Sequence, residues 1–217
     1  MTTITSARVG VRAPTVPVVK VSRGTIDSLL SGVGALVAVV LVVAGGLLTW
    51  GHNFANDYVH KELASQNIAF PDAATLQQQG RTDLVRYAGA KVDTGTEAQA
   101  YASFINGHLQ GVAEGQTYAD LSAPERAAKA AVTSAKTAGA PADQVAQLQA
   151  KADGITAQRT TLFQGETLRG LLLTAFAWAT VGRIAGIAAA VAFAAAAVMA
   201  LLVAFGIRHH HKVATDG

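Results

Sequence analysis

The 217-residue chain has no cysteine and little charge, with 14% Asp, Glu, Lys and Arg set against 51% hydrophobic residues. Without cysteine there is no disulfide, no thiolate nucleophile, no cysteine metal cluster and no lipoprotein attachment site. Soluble domains carry about 25% charged residues, so the shortage of charge needs a local cause. Disorder is not that cause, because disorder goes with low hydrophobicity. Catalytic signatures are also missing: there is no G-x-S-x-G, H-E-x-x-H, P-loop or G-x-G-x-x-G.

What the chain does have is two long apolar runs. Leu29–Trp50 is 22 residues without a charge, about 33 Å of helix against a hydrocarbon core of about 30 Å. Gly170–Ile207 is 38 residues with one charge, Arg183. That is too long for one crossing and too short on its first side for two, so the reading is a span near 181–207 with Leu171–Ala179 continuing the helix outside, packed on protein. Arg183 and Trp50 then mark one interface, and Arg23 and Arg208 mark the other. Neither span holds an internal Asp, Glu or Lys, which argues against an ion path.

Positive flanks set the expected orientation. Residues 1–28 form a basic tail with Arg8, Arg12, Lys20 and Arg23, and 208–217 a second with Arg208, Lys212 and His209–His211. Both are expected in the cytoplasm, with 51–169 outside. The net charge of +3 is thus two collars, not a nucleic-acid surface, since no basic stripe interleaves with aromatics. The fold class expected is an all-α membrane protein of the plasma membrane, with two transmembrane helices and a mainly helical extracytoplasmic domain between them.

Within 51–169 the first helix is expected to run on to about Gln66, where Pro71 breaks the pattern. A short helix follows at about 73–79, then a loop or short strand over 84–96. Thr96 is the expected N-cap of a helix 97–113, with a stripe of Tyr101, Ile105, Leu109 and Val112. Ser122-Ala-Pro-Glu125 has the form of a capping box for a helix to Ala138. A second helix from Ala142 carries Val145, Leu148, Ala152, Ile155 and Leu162, interrupted by Arg159. That seam is little more than two heptads and predicts a modest antiparallel hairpin.

Candidate sites are few. His52 and His60 lie about 12 Å apart along a helix and cannot share an ion, and His108 stands alone. The carboxylate pairs Asp57/Glu62, Asp93/Glu97 and Asp120/Glu125 need tertiary structure to converge. The sequence therefore implies no catalytic residue, cofactor or metal. On the second span Gly182, Gly186, Ala190 and Ala194 repeat at fourfold spacing, and Ser31 with Ala35 gives a related pattern on the first. Such rows let helices approach, either the two spans with each other or one span with a partner.

Gly165-Glu-Thr-Leu-Arg-Gly-Leu-Leu-Leu173 with Trp178, Val181 and Gly182, together with Ala100-Tyr-Ala, Ile105-Asn-Gly-His108 and Thr117-Tyr-Ala, resembles a family of small actinobacterial membrane proteins with two spans around an external segment. The resemblance covers roughly 29–207 and brings no catalytic residues. Some relatives carry an aromatic ring-opening dioxygenase label, but a non-haem iron site needs two His and a carboxylate converging. The function expected is a non-enzymatic two-pass protein whose external domain scaffolds or binds another envelope component. The alternative is an accessory subunit of a transport or respiratory complex, docking through the small-residue face. Expected partners are the lipid bilayer and a membrane protein or second copy, with no nucleic acid.

Overall fold

A computed structural model describes residues 23–215, with side chains for 24–208; the tail 1–22, and the side chains of Arg23 and His209–His211, lie outside the described residues. Among these residues the fold is helical. The helices are α1 (Arg23–Ser65), α2 (Ala73–Gln78), α3 (Gly95–Val112), α4 (Ser122–Thr137) and α5 (Ala142–Thr215), with a 3-10 segment at Thr82–Tyr87. Segments of α1 and α5 are long and apolar enough to cross a membrane. Two compact units result, Val43–Ala192 and Met1–Val42 with Phe193–Gly217.

In the unit Val43–Ala192, the first helix continues to Ser65 and stops where Asn67 takes a positive φ of 50°. Asp72 caps α2, accepting a hydrogen bond from the Thr75 amide at 2.8 Å. Of the expected loop or short strand at 84–96, the first residues belong to the 3-10 segment and the rest is loop with one isolated bridge, Ala69 to Lys91, up to the start of α3. Leu76, Leu84 and Val92 are buried there with Phe70, against Val59 and Leu63 of α1, Ala98 and Ala102 of α3, and Leu172 and Ala179 of α5. Phe70 stacks on Tyr87 and meets Tyr101 edge-on, both at 5.2 Å between centroids. Arg81 ties this layer to α3, donating to the Ser103 carbonyl at 2.7 Å while forking onto Asp83. The face of α3 that packs is wider than the four-residue stripe, because Ala98, Ala102 and Phe104 are buried as well.

Three expectations are corrected. The N-cap of α3 is Thr94, not Thr96: Thr94 and Glu97 make the reciprocal capping box, two residues before the expected position. Ser122 is the first residue of α4 and Leu121 holds its N-cap position, with no side-chain cap, while Glu125 pairs with Lys129 and Arg159. The reciprocal bonds occur one turn earlier, between Thr117 and Asp120. Third, the hairpin's second arm and the second apolar helix are one element of 74 residues. No proline follows Pro141, and Gly154, Gly165 and Gly170 each cost only about 1 kcal/mol in a helix interior.

Leu171–Ala179, expected to pack on protein, divides by face. Leu172 and Ala179 are buried in the core, whereas Leu171, Leu173 and Trp178 are exposed.

Candidate functional site: an apolar exterior around a small-residue seam

Along the apolar runs α1 and α5 are unlike a soluble helix pair: the residues they bury are glycine and alanine, Gly34, Gly45 and Ala55 on one and Ala179, Gly182, Ala189, Ala192 and Ala196 on the other, while many of their large apolar side chains face outward. In the unit Val43–Ala192, Gly182 lies on Ala55 and Gly186 on His52, so closely that a Cβ on either glycine would come within 2.9 and 2.8 Å of those side chains. The helices run antiparallel there. His52 donates from Nδ1 to the Gly182 carbonyl at 2.7 Å, and the Asn56 amide lies 3.3 Å from Nε2. In the unit Met1–Val42 with Phe193–Gly217, Gly34 approaches Val203 and Met199, and Gly206 approaches Ser31.

Of the small row, Gly182 is buried and Gly186 half-buried, while Ala190 and Ala194 are exposed. In the unit Val43–Ala192 the buried small residues are instead Ala189 and Ala192, and in the other unit Ala196. On α1, likewise, Ser31 is half-buried but Ala35 is exposed, and Gly34 and Gly45 are buried. The reason is periodicity. At about 100° per residue a fourfold step drifts by about 40° each time, so a row starting at Gly182 has turned away by Ala190, whereas a sevenfold step drifts by only about 20°. On α1 the sevenfold positions are at least half-buried within each unit, Ser31 and Ala38 in one and Gly45, His52 and Val59 in the other.

Outward, Trp50 is 67% exposed and stacks on Phe54, which stacks on Tyr58, at 5.6 and 6.2 Å. Ile184, Ile187 and Val191 of α5 are exposed too, as are Leu30, Val33, Val40, Leu201, Leu202 and Phe205 in the other unit. Arg183 is exposed and within 3.5 Å of the Thr96 hydroxyl; Arg208 is exposed.

The titratable groups singled out from the sequence have structural duties. His60 bonds to the Asp93 carbonyl and His108 to the Phe104 carbonyl, both at 3.2 Å. Glu97 accepts from the Asp93 and Thr94 amides, and these bonds hold its carboxyl below the ordinary range despite partial burial. Asp57 and Glu62 are exposed. No group of three or more metal-ligating side chains occurs among the described residues.

Sequence reasoning missed the cluster at Glu125. This carboxylate, 6% exposed, accepts from Lys129 at 2.6 Å, Arg159 at 2.5 Å and Thr156 at 3.0 Å. Arg159 also lies over the Tyr118 ring, 4.1 Å from its centroid. Its place inside an otherwise apolar seam was the available signal: a cation there needs an acidic partner on the facing helix. Lys129, then Arg159 and Thr156, hold the Glu125 carboxyl at about 2 against an ordinary 4.5. A lowered folded-state pKa gives stability that is full above the ordinary value and lost as pH falls through the folded one. Attachment of α4 to α5 is therefore expected to weaken between pH 4.5 and about 2. Amide exchange in α4 should speed up over that window, and Glu125→Gln should exchange fast already at pH 7.

No protein-family model, curated protein or solved structure matches the chain.

Proposed function

We propose that this is a non-enzymatic, two-pass plasma-membrane protein with both termini in the cytoplasm, whose extracytoplasmic helical domain scaffolds or binds another envelope component. The observation that carries the reading is the inversion of the helix pair, with glycine, alanine and His52 inside and large apolar side chains outside. In water such an exterior would be an aggregation surface, while in lipid it is the expected one. Basic flanks at both ends support the orientation. The two-span actinobacterial family is part of the same proposal. A scaffold is favoured over an enzyme because His52, His60, His108, Glu97, Asp120 and Glu125 are engaged in caps, carbonyl bonds and an ion pair, and Asp57 and Glu62 stand exposed on the surface.

The accessory-subunit alternative loses its main support, since Gly182 and Gly186 are already covered by α1. What remains open to a partner is Ala190 and Ala194. Photoreactive residues in living cells separate the two readings. Cross-links to a discrete protein from Lys151 or Gln78, in the domain, are expected. Cross-links confined to Ala190 and Ala194 would favour the alternative, and none from either set would contradict both.

A further inference from the structure

In the unit Val43–Ala192, a pocket of about 330 Å3 lies between the C-terminal half of α3, the loop that follows it and α5, lined by Asn106, Gln110, Gln116, Tyr118 and Glu166. The loop that forms one wall is fixed in place. The Gly115 amide donates to the Gln110 carbonyl at 2.9 Å, the Gln158 amide donates to the Val112 carbonyl at 3.2 Å, and Thr117 and Asp120 bond reciprocally. Arg159 holds Tyr118 twice, lying over its ring 4.1 Å from the centroid and donating from Nε to its carbonyl at 3.3 Å. Phe163 stands beside Tyr118, 5.7 Å between centroids, and the two rings are 56% and 41% exposed.

We propose that this pocket binds a neutral sugar of an envelope polysaccharide. That the sugar belongs to the envelope rests on the extracytoplasmic reading above, whereas its being a sugar rests on the pocket. The first support is the aromatic pair. Among residues 60–167, Tyr118 and Phe163 are the large apolar side chains left exposed, and Phe163 stands 20 residues before Arg183 on α5, about 30 Å along the helix. Lipid does not reach them there. The negative face of an aromatic ring attracts the polarised C–H bonds along one face of a pyranose, so a sugar covers such a pair without being an apolar ligand. The second support is hydrogen bonding. The carboxamides of Asn106, Gln110 and Gln116 each donate and accept, and none of them bonds to another described residue. Sugar hydroxyls donate and accept in the same way. The third is charge. No Lys or Arg lines the pocket, and its one charged side chain, Glu166, already pairs with Arg169 at 2.9 Å. A phosphate, sulfate or carboxylate would find no cation here, and an apolar side chain of a protein would leave the carboxamides covered and unpaired.

The test uses the full chain in phospholipid nanodiscs, titrated with chitotetraose, cellotetraose and maltotetraose and read by saturation-transfer NMR and calorimetry. At least one of these is expected to bind with a Kd of about 1 mM or tighter. Phe163→Leu, which keeps apolar bulk but removes the ring, and Gln110→Ala should each weaken that binding about fivefold or more. Both positions are exposed, so thermal unfolding should stay unchanged. Gln78→Ala, an exposed amide away from the pocket, should bind as the wild type does. Failure of all three sugars to bind, or equal binding by wild type, Phe163→Leu and Gln110→Ala, overturns the proposal. A photoreactive residue at Gln116 that captures a discrete protein in cells would replace the sugar by a protein partner. Sugar binding that holds while impermeant labelling of Lys151→Cys places the domain in the cytoplasm would keep the sugar site and sink the extracytoplasmic reading.

Discussion

Gly95→Val is expected to lower the free energy of unfolding by about 2–4 kcal/mol, the range of an overpacked core position that cannot relax. Gly95 opens α3 directly after its capping box, where the helix meets α5. A Cβ there would stand 2.3 Å from the Ala179 Cβ and 3.4 Å from the Phe176 Cα. Neither atom belongs to a flexible side chain, so the clash is relieved only by moving one helix off the other. That movement opens the core holding Ala98, Ala102 and Leu172 and strains the Thr94–Glu97 cap. Thermal unfolding in detergent, followed by near-ultraviolet circular dichroism of Tyr101 and Trp178, measures the loss. Gly111→Val is the control, because no atom lies within 4 Å of a Cβ at Gly111. It should cost well under 1 kcal/mol beyond helix propensity.

Gly182→Leu should cost about 1–3 kcal/mol. The new side chain meets the Ala55 Cβ at 2.9 Å, an atom fixed to the α1 backbone, so α1 must withdraw and the His52 bond to the Gly182 carbonyl is lost. Gly186→Leu strikes the His52 ring instead, which can rotate away, and the loss there is smaller but of the same kind. Ala190→Leu and Ala194→Leu sit on the exposed side and should change stability by less than about 0.5 kcal/mol. Unfolding in detergent gives the four values, and the His52 imidazole resonance reports the bond. Equal costs at Gly182 and Ala194 would show that the fourfold row, not the sevenfold one, is the contact.

These four positions show what was legible in the sequence and what was not. The long apolar runs, the passage of α1 beyond Trp50, the break near Pro71 and the pairing surface at Gly182 and Gly186 follow from composition and local rules. The course of the seam did not, because small residues are so dense between Ala188 and Ala197 that fourfold and sevenfold rows both read as continuous. Only the helical drift chooses between them. Thr94 against Thr96 is a choice between two hydroxyls that both fit the local pattern, with Glu97 three residues after one and Gln99 three after the other, and the fold uses Thr94. Ser122 had such a glutamate too, but Glu125 is drawn into a tertiary ion pair, and local pattern cannot weigh a partner 34 residues away. The same partner explains Arg159, whose interruption of a short apolar seam is the point where α4 is fastened to a helix far longer than that seam predicted.

The absence of native cysteine gives a clean background for testing the proposed topology, the helix pair in a bilayer with the domain outside and both ends inside. Lys151→Cys, exposed on α5, and a cysteine added after Gly217 are each treated with a membrane-impermeant maleimide on intact cells and again after permeabilisation. Lys151→Cys is expected to be labelled on intact cells and the C-terminal cysteine only once the membrane is opened. Protection of Lys151→Cys until permeabilisation, or release of the protein from membranes by alkaline carbonate, would contradict it.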